Sequence, residues 1–328
     1  MTKFGMTQSR WRIAAVLLLA ASSTGSLAQF PAKAIMLISP FPAGGGPDAY
    51  LRPLAMKLTE QIGQSVLIDN RAGGGGALMM PQLARAAADG HTVGVVTNST
   101  LIQKHVQPAH AYDPIADFAQ ITRLVTGVTV LVVTVNSPVK RVEDLIAHAR
   151  ASPGKLNYGS GGIGTPSHLA AATLQSVANI DTVHIPFKNA GDVVPSLLRG
   201  DLHFSFQVAS FVVPLIRAGK LRGLAAGSSA RMRELPDIPT LIEMFKNDLL
   251  AQDTWVGLAA PARTPAEILR RLHAETVKAL ADPVIIQIIE RTGTLPAPSA
   301  SPEEQQAYVL RENEKWRQIV RLSGVKAE

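Results

Sequence analysis

Short β-rich runs alternate with amphipathic helical stretches along most of this chain, and that alternation leaves few possible folds. Residues 35–39 read as a strand, followed by a Pro/Gly loop and a helix starting at Asp48. In that helix Leu51, Leu54, Ala55, Leu58 and Ile62 fall on one apolar stripe at helical spacing. A strand at 65–69, a glycine loop at 71–76, a helix over 77–87, an Asp89-Gly90 turn and a strand at 92–97 complete a β-α-β-α-β unit. The same grammar returns at 128–135 (strand), 141–150 (helix), 156–158 (strand) and 167–177 (helix), and continues through 182–186, 193–198, 202–206 and 221–226. After a strand at 255–259, helices over 265–280, 284–291 and 302–322 close the chain. The pattern predicts two doubly wound α/β units and a helical tail, and 328 residues suffice for both.

The first residues belong to neither unit. Lys3, Arg10 and Arg12 precede an apolar run at 13–21 that is too short to span a bilayer. Ser26-Leu27-Ala28 then presents small residues where a signal peptidase reads, so residues 1–28 are expected to be a cleaved export signal. There is no cysteine, which removes thiol catalysis, cysteine-ligated zinc and a lipid anchor at the signal junction. Beyond the signal, 29 basic residues face 25 acidic ones, a net +4 spread without any run of like charge. With only 5% aromatic residues to stack on bases, a nucleic-acid partner is not expected.

Two glycine loops join a strand to a helix: Pro40-Phe-Pro-Ala-Gly-Gly-Gly-Pro-Asp48 and Gly159-Ser-Gly-Gly-Ile-Gly-Thr-Pro-Ser167. Glycine lets backbone N–H groups turn inward, and the helix N-terminus behind each loop adds partial positive charge. Together they make a cradle for an anion. Neither loop carries Lys or Arg, so the donors would be amides, hydroxyls and water. Asp48 is expected to cap the first helix, and Thr165 or Ser167 the second. The run Gly44-Gly-Gly46-Pro-Asp-Ala49 superficially fits a dinucleotide fingerprint, but Pro40 to Ala43 separate it from the strand and Asp48 would repel a pyrophosphate. No G-x-S-x-G elbow, Walker ending or H-E-x-x-H motif occurs, and His105 and His110 are poorly spaced for a metal. Neither catalytic residues nor a metal or cofactor is expected.

The chain resembles the Bug/TctC family, the periplasmic receptors of tripartite tricarboxylate transporters. The likeness is carried by the first glycine loop with Asp48, Asp69-Asn-Arg71, Asp89-Gly-His-Thr92, Tyr112-Asp-Pro114 and Pro153-Gly-Lys-Leu-Asn-Tyr158. Gly164-Thr-Pro-Ser-His-Leu169, Ala218-Gly-Lys-Leu-Arg222, Leu235-Pro-Asp-Ile-Pro-Thr240 and Trp255 before Gly257-Leu258 extend it over the whole chain beyond the signal. The resemblance implies a class II periplasmic-binding-protein fold, two α/β lobes with a ligand cleft between them and two crossovers. It places 29–127 with 253–328 in one lobe and 128–252 in the other. It further implies that a carboxylate is gripped by Phe41, Pro42, Ala43, Gly44, Gly45, Gly46 and Asp48 from one side. From the other come Ser160, Gly161, Gly162, Ile163, Gly164, Thr165, Pro166 and His168, with Asn98, Phe187 and Gln207 nearby. The implied partners are a small carboxylate and membrane transporter subunits, and a monomer is expected because hinge closure is easiest in one.

Departures from the family pattern bear on the ligand. Pro47, Ala77, Ile163, Phe187 and Gln207 stand where Thr, Asn, Asn, Tyr and Asp are common, and Met79 and Met80 replace small residues. Fewer polar side chains near the cleft would favour a ligand less polar than an acidic amino acid or citrate. Alternatives are an exported α/β enzyme acting on a small carboxylate, or a ligand-sensing receptor feeding a signalling protein.

Overall fold

A computed structural model describes residues 30–187 and 190–326. The expected export signal at 1–28 lies outside the described residues. Among these, no helix is long and apolar enough to cross a membrane.

The strands form two sheets of matching design. In the first, β1 (Ile35–Ser39), β2 (Val66–Asn70) and β3 (Thr92–Thr97) are parallel, and the order across the sheet begins β2-β1-β3. β4 (Phe118–Gly127) lies further out, separated from β3 by the reversed strand β10 (Thr254–Pro261). In the second sheet, β6 (Asn157–Ser160), β7 (Val183–Pro186) and β8 (Phe204–Val208) are parallel. There β5 (Thr129–Thr134) is the reversed strand, and β9 (Leu221–Ala226) lies beyond it. Each reversed strand is thus the one that enters its sheet directly from the other. β4 runs into β5 through Val128 alone, so this crossing is a nearly continuous extended segment.

Helices cover both faces of each sheet, as parallel strands require. Along β5, Leu131 and Val133 enter one apolar cluster while Val130 and Val132 enter another, the period of two expected of a strand buried on both sides. The helix α1 (Asp48–Ile62) buries Leu51, Leu54, Ala55 and Leu58 of its predicted stripe, with Ile62 partly buried, and stops at Gly63, whose φ of 74° closes the last turn. The expected helix over 77–87 is shorter. A 3-10 turn at Gly74–Gly76 leads to α2 (Met80–Arg85), in which Pro81 occupies the first turn, where a missing N–H costs nothing. Elements without a counterpart in the sequence reading include β4, α3 (Asn98–Val106), helices at Ala209–Arg217 and Leu241–Phe245, and a short strand at Leu295–Pro296.

The last helix, Pro302–Ser323, ties the molecule together. Val309, Trp316, Ile319 and Val320 join an apolar cluster with Met79, Met80 and Leu101 from the first lobe and Leu169 from the second. Ser176 of the second lobe donates to the Leu322 carbonyl at 3.0 Å. Within this helix the buried Glu312 accepts the indole N–H of Trp255 at 3.1 Å and that of Trp316 at 3.0 Å. Asn98 completes the knot, donating to the Asp253 carbonyl at 3.0 Å and accepting the Trp255 amide at 2.7 Å. Glu312 therefore holds the second crossover, α3 and the last helix at one point.

Removing that carboxylate strands two buried donors, so Glu312→Ala should cost about 3 kcal/mol, while Glu312→Gln, which keeps an acceptor, should cost about 1 kcal/mol. Urea unfolding followed by tryptophan fluorescence, with unchanged slope, measures both. Equal losses would show that the acceptor is not what matters.

Candidate functional site

The first glycine loop is held from below by Asp48. Its Oδ2 accepts the Gly44 amide at 2.8 Å and Arg52 Nε at 2.7 Å, and its Oδ1 accepts Asn70 Nδ2 at 3.1 Å. Asn70 also donates to the Phe41 carbonyl at 3.0 Å, closing the loop on itself. Burial alone would push the Asp48 carboxyl up; the Gly44 amide and Arg52 outweigh it and hold the pKa below its ordinary value. Asp48 does not cap the helix as expected. Pro47 occupies the cap position and Asp48 is the first helical residue, its carboxylate turned back to Gly44 instead. That turn is possible because Gly44 has a φ of 74°. The Ala43 and Gly46 amides find no acceptor among the described residues.

The second loop joins β6 to the helix α5 (Pro166–Ala178) and is braced by a stack of rings. Ser160, fully buried, accepts the Gly162 amide at 3.1 Å and lies 2.6 Å from His184 Nε2. His168 Nδ1 accepts the Gly164 amide at 3.2 Å. The His168 and His184 rings stack with centroids 3.8 Å apart, and Tyr158 stacks on His184 at 5.0 Å. Burial pushes the pKa of His168 down to about 3 and that of His184 to about 4, so both are neutral at ordinary pH. Thr165 sits at the helix cap, yet its hydroxyl donates to the Gly162 carbonyl at 2.7 Å, and Ser167 Oγ accepts the Gly161 amide at 3.3 Å. Both hydroxyls shape the loop instead of capping the helix. The amides of Ile163, Ser167 and His168 are left without an acceptor among the described residues, at the positive end of a helix.

The two loops face one another. Gln103 on α3 donates to the Ile163 carbonyl at 3.1 Å across the lobes. Its Nε2 would lie 3.0 Å from a Cβ on Gly75 and 2.9 Å from one on Gly164, so glycine at both positions makes room for it. Phe211 of the second lobe reaches the first loop: its Cζ would lie 3.3 Å from a Cβ on Gly46. Both contacts join one lobe to the other.

The structure thus brings together Phe41, Pro42, Ala43, Gly44, Gly45, Gly46 and Asp48 in one loop, and residues 160–166 with His168 in the other. Three further candidates have side chains committed inside the fold. Asn98 is buried in the Glu312 knot, and Gln207 is buried with Nε2 donating to Ser205 Oγ at 2.7 Å. Phe187 donates its amide to the Ser160 carbonyl at 2.9 Å, and its ring packs on the apolar cluster around Val193 and Leu202. Ile163 packs onto the apolar cluster of the first lobe, the same one that buries Ala77, Met79 and Met80. Gln103 and Phe211 were not foreseen, because both stand on helices absent from the sequence reading. Among the described residues no group of His, Asp or Glu could hold a metal ion.

Comparison with known proteins agrees with this architecture. The model of the tripartite tricarboxylate transporter family receptor matches residues 50–325. The UPF0065 protein in the tcbD-tcbE intergenic region of Pseudomonas sp. (strain P51) is 33% identical over 315 residues, 95% of this chain and 94% of that protein. A Rhodopseudomonas palustris protein solved with adipate superposes with a TM-score of 0.80 at 28% identity, covering 91% of this chain and 99% of the other. MatC from Rhodopseudomonas palustris, solved with bound malate, gives 0.78 at 27% identity, with 89% and 100% covered. Both the sequence match, running nearly end to end, and the shared two-sheet fold place this chain in the tripartite tricarboxylate transporter receptor family.

Proposed function

We propose that this protein is an exported receptor whose two lobes, residues 29–127 with 253–328 and residues 128–252, close over a small carboxylate and deliver it to membrane subunits of a tripartite uptake system. One observation carries the reading: amides without acceptors stand in two glycine loops, each backed by a helix N-terminus, with no basic side chain in either loop. Such a cradle suits one or two carboxylate oxygens on each side. The solved relatives with malate and adipate support the ligand class. Nothing in the site supplies acid–base chemistry. Ser160 and His184 have the separation of a nucleophile and its base, but Ser160 is fully buried, where no substrate reaches it. With neither Lys nor Arg in the loops and Gln207 turned inward, the ligand is less polar than citrate or an acidic amino acid.

Residues 29–328, refolded to strip any bound ligand, should show a raised unfolding midpoint with one class of carboxylate and not with sugars or amines. A ligand at a hundred times its dissociation constant adds about 2.7 kcal/mol, a shift of a few degrees in a chain this long. A panel of mono-, di- and tricarboxylates without any shift would refute the receptor reading.

Acid should loosen the second loop. His168 and His184 have folded-state pKa values of about 3 and 4, below the ordinary 6.5, so the unfolded chain takes up protons first as pH falls. Their contribution to stability is full above pH 6.5 and drains away between there and about 3. Protonating His168 Nδ1 also removes the acceptor for the Gly164 amide. The unfolding midpoint should therefore fall between pH 6.5 and 5, and less steeply in His184→Asn. An identical slope in that variant would show that the stacked pair is not responsible.

A further inference from the structure

We propose that Phe211 is the specificity-determining residue of the cleft, selecting carboxylates whose body next to the head group is apolar. The inference rests on the receptor reading above and names the group that sorts ligands at the same site.

Phe211 stands in the first turn of the helix α7 (Ala209–Arg217). Val212 and Val213, directly after it, are buried in the second lobe and fix the helix, while Phe211 itself points away and is 54% exposed. It is not loose surface. The tip of its ring lies against Gly46 of the opposite lobe, where a Cβ would come within 3.3 Å. Gly46 and Ala43 are the residues of the first loop whose amides have no acceptor. A carboxylate held by the Gly46 amide would place its next atoms beside the phenyl ring. The ring offers no hydrogen bond. An apolar body placed there loses contact with water at both surfaces, which is favourable, whereas a hydroxyl or second carboxylate loses hydration without replacement. Of the other apolar departures, Ala77, Met79 and Met80 are buried, and Ile163 and Phe187 lie partly buried against the clusters of the lobes.

Titration calorimetry on wild type, Phe211→Ala and Phe211→Leu, with benzoate, 4-methylpentanoate, malate and adipate, tests this. Because the side chain is half exposed, neither substitution endangers the fold, which the unfolding midpoint verifies. Wild type should bind one of the two monocarboxylates more tightly than malate. Phe211→Ala should weaken that ligand by about tenfold or more while changing malate and adipate by less than about threefold, and Phe211→Leu should retain most of the preference. A uniform loss across all four ligands, or an unchanged ratio between them, would overturn the assignment. Wild-type binding confined to the dicarboxylates would also overturn it while leaving the receptor function standing. Binding of none of the four, nor of any wider carboxylate, would overturn both.

Discussion

The rest of the structure depends on the chain passing between its sheets in extended conformation. β4 and β5 are separated only by Val128, and each lobe is completed by a reversed strand that has just left the other. A strand cannot be displaced sideways without breaking its ladder, so the two sheets are fixed relative to their shared crossings and free chiefly to rotate about them. The glycine loops lie at the ends of strands β1 and β6, on the sides that face across this axis. Their apposition follows from the crossings, not from any affinity between the loops.

Around that axis the stabilising contacts divide into permanent and reversible ones. The Glu312 knot binds the second crossover to the last helix through buried hydrogen bonds, and the apolar cluster there draws residues from both lobes. These contacts lie behind the axis and do not require a ligand. Near the glycine loops the lobes also meet through the Gln103 hydrogen bond to the Ile163 carbonyl, the packing of Ile163 on the first lobe's apolar cluster and the touch of Phe211 at Gly46. Under the proposed function, a ligand bridging both loops would add hydrogen bonds comparable to the one already joining the lobes there and so bias their equilibrium.

Much of this was legible in the sequence, for definite reasons. Helix α1 announced itself because its apolar residues recur on one face, and both glycine loops because no other residue would be tolerated so densely between strand and helix. What escaped was governed by tertiary context. Residues 98–106 and 209–217 are too short for their periodicity to stand out, and the second carries Val212, Val213 and Pro214, which favour a strand or a break over a helix. They fold as helices because their apolar sides are buried against sheets that the local sequence does not reveal. Since Gln103 and Phe211 stand on them, the residues that cross the cleft were hidden with the elements that carry them. Asn98 is tied to Asp253 and Trp255, partners far along the chain that its local sequence does not show.

The absence of basic side chains from the two loops has an evolutionary consequence. A grip made of main-chain amides is largely indifferent to which amino acids carry it, provided the backbone can take the required turns. Point mutations around such a grip alter the walls and leave the hold on the carboxylate intact. A lineage of such receptors could therefore move from one organic acid to another by single substitutions, each intermediate still able to bind something. If the proposed grip holds, diversity of diet comes cheaply to a protein whose two glycine loops carry no basic side chain.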